Sequence, residues 1–125
     1  MSRRILAILS LALGVTLTVF AATSSRWTQI PAKEHLRTNP LGGQPEAAAA
    51  GAQVYREHCL QCHKADARGD GRKRPSLRSE RLQSASDGDI EWFLRQGDLG
   101  RGMPSWSSLP EMQRWQVVAY LRSIQ

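Results

Sequence analysis

The chain has 125 residues, enough for one small domain, and a formal charge of +6. Setting aside Arg3 and Arg4 leaves 15 basic against 11 acidic residues, so the remainder carries only +4. No cysteine precedes Cys59, which excludes a lipid-anchored N-terminus, and the export pattern at that end argues against nucleic acid as a partner.

Residues 1–22 carry that pattern. Arg3 and Arg4 form a positive flank, followed by an uncharged apolar run from Ile5 to Ala22. The run reads either as a signal peptide, with Val19 and Ala21 at a cleavage site, or as a retained membrane anchor. Its 18 residues just span a bilayer, and Arg26 and Trp27 resemble an interfacial belt. Both readings place the rest of the chain in the periplasm, free or tied to the inner membrane. Residues 23–45 hold three prolines and a Gly-Gly pair without apolar periodicity, and read as a linker.

Three helices are expected within 46–125. The first runs from about Pro45 to Cys62, with Ala48, Ala52, Tyr55 and Cys59 on one face and Gly51 in its middle. A mid-helix glycine costs about 1 kcal/mol relative to alanine, which suggests close approach by another element. A long loop, Lys64 to Ala85, offers only Leu77 and Leu82 as large apolar residues. The second helix is "SDGDIEWFLRQG", with Ser86 and Asp89 at capping-box spacing and Gly97 as its stop. The third is "SLPEMQRWQVVAYLRSIQ", with a second box expected from Ser108 and Glu111. Its apolar residues spread widely enough to be buried on more than one side, Met112 among them as a core residue.

An all-α domain of about 80 residues with long loops buries little apolar surface and needs a disulfide, a metal or a cofactor. The stretch "CLQCHK" at 59–64 meets that need. A Cys59–Cys62 disulfide would close a tiny loop and stabilise little. A thioredoxin-type pair lacks its βαβ context, and zinc lacks well-placed ligands, since His35 and His58 are poorly positioned. On a helix, positions 59, 62 and 63 share one face. Two thiols there can form thioethers to haem vinyl groups while His63 reaches the iron, and Cys-x-x-Cys-His is the spacing of c-type haem attachment. Met103, in "GRGMPSW" 40 residues further on, is the candidate second axial ligand; the alternative is an ordinary surface-loop methionine. Trp92, Phe93, Trp106, Leu77 and Leu82 are candidates for the wall of the haem pocket or for plain core.

With Gly51 and Tyr55, "CLQCH", "GDG" at 69–71, "PSL" at 75–77, "GMPSW" at 102–106, Trp115 and "AYLR" at 119–122 in view, the chain resembles a class I c-type cytochrome. The likeness is to the small single-haem domains of bacterial respiratory chains and covers about Glu46 to Gln125. It implies the cytochrome c fold: three main helices and long loops around one covalent haem c. It also implies that Gly51 and Tyr55 pack on the last helix near Trp115 and Tyr120, and that the Pro75 carbonyl holds the second nitrogen of His63. Lys64-Ala65 departs from the pattern, where many relatives have glycine.

The function expected is electron transfer rather than enzymatic catalysis, with His63 and Met103 as iron ligands. Alternatives are the cytochrome subunit of a larger membrane dehydrogenase or oxidase, and a haem enzyme or sensor with an open iron site. Partners would be redox proteins, with the chain as monomer or complex subunit. Seven basic against three acidic residues between Lys64 and Arg81 form either a solvated loop or a docking face for an acidic partner.

Overall fold

The computed structural model describes residues 25–125. The apolar run, and with it the choice between signal peptide and anchor, lies outside the described residues. Among the described residues no helix is long and apolar enough to cross a membrane. They form six α-helices and two short 3-10 helices, and no strand; one isolated bridge joins Asp98 and Met103.

Two long helices cross to make the frame. Helix α2 (Pro45–His58) starts with proline in its first turn, carries Glu46 beside it and continues through four alanines. This is a combination of low helix cost and favourable dipole chemistry. Helix α6 (Glu111–Ser123) lies against it. At the crossing, a β-carbon on Gly51 would stand 1.9 Å from the Gln116 carbonyl oxygen, so only glycine lets the backbones meet. One turn on, the Tyr55 and Tyr120 rings pack at 5.1 Å. The expected packing of Gly51 and Tyr55 on the last helix is therefore present.

The buried stripe of α2 is Ala47, Gly51, Val54 and Tyr55, one position away from the expected Ala48 and Ala52, which are half-buried. The crossing at Gly51 sets that rotation. Helix α6 buries Trp115, Val117, Val118, Ala119 and Leu121, which cover more than one side. Two expectations for this helix fail. Met112 is 51% exposed. The Ser108–Glu111 box does not form: Pro110 is the N-cap with no side-chain cap bond, and the Glu111 carboxylate is taken by Arg37.

Helix α5 (Asp87–Gln96) has its capping box as expected, Asp89 N–H donating to Ser86 Oγ at 3.1 Å and Ser86 N–H to Asp89 Oδ2 at 2.9 Å. Within the long loop, a short helix α4 (Glu80–Ser84) buries Leu82. Arg122 from α6 donates to the Leu82 and Ala85 carbonyls and pairs with Asp87, so one side chain ties α4, α5 and α6 together.

The segment expected as a linker is folded onto this frame over its described part. A 3-10 helix (Arg26–Gln29) and α1 (Ala32–His35) pack along α5, with Ile30, Glu34 and Asn39 buried. Its anchors are polar. Asn39 Nδ2 donates to the Trp115 carbonyl at 2.9 Å, Gly88 N–H donates to the Arg37 carbonyl at 3.1 Å, and Arg37 reaches buried Glu91 at 2.8 Å.

Candidate functional site

Helix α2 ends at Cys59, whose backbone (φ −117°) interrupts the helix before the single turn of α3 (Leu60–His63). The turn is closed by the Cys59 carbonyl, which accepts from Cys62 N–H at 3.1 Å and His63 N–H at 2.9 Å. This places Cys59, Cys62 and His63 on the wall of one cavity of about 540 Å³. Ligand pockets generally fall between about 300 and 1,000 Å³. The two thiols are half-buried and not bonded to each other. Burial pushes the Cys59 thiol up to about 11, with the neighbouring Cys62 acting in the same direction, so it stays protonated at neutral pH.

The loop after α3 is built to meet the histidine. Asp70 Oδ1 accepts from the N–H groups of Arg72 and Arg74, both at 2.9 Å, and Leu77 N–H donates to the Ala67 carbonyl at 2.7 Å. The result sets the Pro75 carbonyl 3.2 Å from His63 Nδ1. A carbonyl can only accept, so Nδ1 carries the proton and Nε2 keeps its lone pair for a metal. Burial lowers the His63 pKa; the Pro75 carbonyl opposes that and Arg74 adds to it. The neutral ring, the form that binds iron, is favoured.

Lys64 sits at φ 67°, ψ 165°, a backbone region that is nearly glycine's alone. This is the position where the resemblance leads one to expect glycine. Lys64 is held there because its carbonyl accepts from the buried Tyr55 hydroxyl at 2.7 Å. Lys64→Gly should therefore raise stability by about 1 kcal/mol, strain relief of 1–3 being partly offset by unfolded-chain entropy. Thermal unfolding checks this; a destabilised variant would show that the lysine side chain outweighs its backbone.

Met103 lies on the same cavity. Its loop is clamped to the end of α5: Asp98 and Met103 exchange backbone bonds at 2.9 and 3.0 Å, and Trp106 N–H donates to the Leu94 carbonyl at 2.9 Å. Leu77, Leu82, Phe93 and Trp106 also line the cavity, joined by Ile90, Leu94, Val117 and Leu121. Trp92 does not; it is buried elsewhere, with the Arg26 guanidinium 5.8 Å from its ring. Two lining residues escaped the sequence reading. The His58 ring is tilted by 55° against Trp106 with centroids 5.1 Å apart, and Trp27 stacks on Phe93 at 4.7 Å. Among the described residues no group of three His, Cys, Asp or Glu side chains could hold a bare metal ion.

The donor set fits a flat, covalently tethered haem: two free thiols at one wall, an imidazole with Nε2 unprotonated, a thioether on a braced loop, and an apolar lining. Residues 46–121 match the family model described as cytochrome c oxidase, cbb3-type, subunit III. The chain belongs to this family. A comparison with curated proteins gave no match. The family domain is a class I c-type cytochrome domain, its helical fold is the one observed, and its work is electron transfer with covalent haem c. In this cytochrome domain the match ends at Leu121 and begins at Glu46, so it takes in the frame, the Cys-x-x-Cys-His turn and the Met103 loop, but not residues 25–45.

Proposed function

We propose that this chain is a periplasmic single-haem electron carrier, with haem held by Cys59 and Cys62 and ligated by His63 and Met103. When bound, haem supplies an iron that passes between ferrous and ferric states one electron at a time. The chain's own residues do the rest. Pro75 fixes the His63 tautomer, the Asp98–Met103 bridge steadies the thioether, and Leu77, Leu82, Phe93 and Leu94 keep water from the ring. With His63 and Met103 both holding the iron, no position on it would be open to a substrate, so the chain would be a carrier and not an enzyme or open-site sensor. The observation that carries this reading is that Met103, 40 residues from His63, lies on the same cavity as His63 and both thiols.

Met103→Ala tests it. The methionine–iron charge-transfer absorption of the ferric protein should vanish and the midpoint potential should fall, since a thioether favours ferrous iron. An unchanged spectrum would place the sixth ligand elsewhere.

A second reading, a fixed subunit of a membrane oxidase, is favoured by the family description and by chain length. The apolar run ends at Ala22, and Ser25 already lines the cavity. Three residues reach at most about 11 Å, so a retained anchor would hold the haem cleft beside the bilayer. Intact-mass measurement of the membrane fraction decides between the two, because a fixed subunit keeps residues 1–22. In both readings the partner is acidic where it docks. Lys73, Arg74, Arg81 and Arg101 line the cavity mouth, and Lys64, Arg68 and Arg72 are exposed nearby. Stopped-flow electron transfer to an acidic redox protein should slow several-fold between about 0.01 and 0.15 M salt as these charges are screened. A salt-independent rate would remove the basic face from the docking model.

A further inference from the structure

Residues 25–41 lie ahead of the family domain, yet they are docked onto it by four separate contacts, the first of them at the cavity wall. Trp27 stacks on Phe93, with centroids 4.7 Å apart and planes at 25°. Arg26 Nε donates to the Gly97 carbonyl at 3.1 Å, at the root of the Met103 loop. Asn39 Nδ2 donates to the Trp115 carbonyl at 2.9 Å. Gly88, in the first turn of α5, makes room for the segment: a β-carbon there would meet the Glu34 carbonyl oxygen at 1.9 Å. Trp27 and Ser25 face the same cavity as Cys59, His63 and Met103. A tether that only joined a domain to a membrane would need none of these contacts.

We propose that this segment is a strap that forms the outer wall of the haem cleft, and that Trp27, stacked on Phe93, is a positioning residue that limits solvent access to the iron. The proposal rests on haem being bound in this cavity. Phe93 and Trp27 both line the cavity, so removing the indole opens the apolar wall at that point. Arg81, which also lines the cavity, sets its guanidinium over the indole, 5.9 Å from the ring centroid. Solvent reaching the ring stabilises the ferric charge and lowers the potential. It also lets small ligands compete with Met103.

The test uses the full chain with its haem. Trp27→Ala should bind added imidazole to the ferric form several-fold faster. Its midpoint potential should fall, and Trp27→Phe should restore both toward the parent value. Trp27→Leu gives the same readouts if the alanine variant fails to fold. Haem staining on a denaturing gel comes first. Absence of stain in the parent protein would sink the haem reading itself, and the strap with it. Stain retained, with imidazole binding and potential both unmoved by the substitutions, would overturn the strap alone.

Discussion

Replacing both cysteines, Cys59→Ser with Cys62→Ser, should abolish covalent haem and most of the cooperative fold. The cavity lies between α2, α5, α6 and the two loops, so it occupies the place where a larger domain would have a core. Leu77, Leu82, Ile90, Phe93, Leu94, Val117 and Leu121 all turn side chains toward it. Burying one such side chain contributes about 1.5–3 kcal/mol, and a small domain is stable by only about 5–15 in total. Leu82, Ile90, Leu94, Val117 and Leu121 are also packed into the core, so Leu77 and Phe93, half-buried, are the two left against water, and about 3–6 kcal/mol for the pair is a large part of the whole. His63 and Met103 are single-point contacts and cannot replace two thioethers during folding. A haem stain on a denaturing gel, followed by a thermal melt of the far-ultraviolet circular dichroism, reads both effects. A cooperative melt of a stain-negative variant near the parent temperature would show that the protein part is self-sufficient.

What could be read from residues alone divides by the kind of force involved. The Cys59–His63 turn, the Ser86–Asp89 box and the role of Gly51 were legible because each is a local pattern or a residue with one physical use. The contact of Pro75 with His63 came from resemblance rather than from spacing, since twelve residues of loop carry no rule for where a carbonyl will point. The strap was not legible as structure. Its hold on the domain comes from Asn39, Arg26, Arg37 and Glu34, and such polar anchors have no periodicity to betray them. Glycine and proline there suggested a loose tether, although the same residues also suit a short chain pressed onto a helix. The Ser108 box failed for a related reason: Glu111 was claimed by Arg37 from 74 residues away.

Glu91→Ala should cost about 3–5 kcal/mol, the range for breaking a buried charge pair by removing one partner. Glu91 is 0% exposed, and its carboxylate is shared by three guanidinium groups. Arg114 Nε lies at 2.7 Å, Arg37 Nη1 at 2.8 Å and Arg95 Nε at 3.3 Å. Arg37 and Arg95 also meet Glu34, and Arg37 meets Glu111, so those two keep a counter-charge after the change. Arg114 does not. It is itself buried at 6% exposure, its remaining bonds are to the Trp106 and Leu109 carbonyls, and alanine leaves it only a longer-range attraction to Glu111, with no carboxylate bonded to it. The same carboxylate links three parts of the molecule: α5, where it sits, α6 through Arg114, and the strap through Arg37. Its loss should therefore loosen the strap as well as lower stability, and imidazole should gain access to the iron as it does in Trp27→Ala. Replacing both partners, Glu91→Leu with Arg114→Met, should cost less than Glu91→Ala alone, because no buried charge is stranded. Denaturant unfolding of the haem-loaded protein measures these differences. A loss below about 1 kcal/mol for Glu91→Ala would mean that water reaches Arg114 once the carboxylate is gone, and that the cluster binds the strap without governing the core.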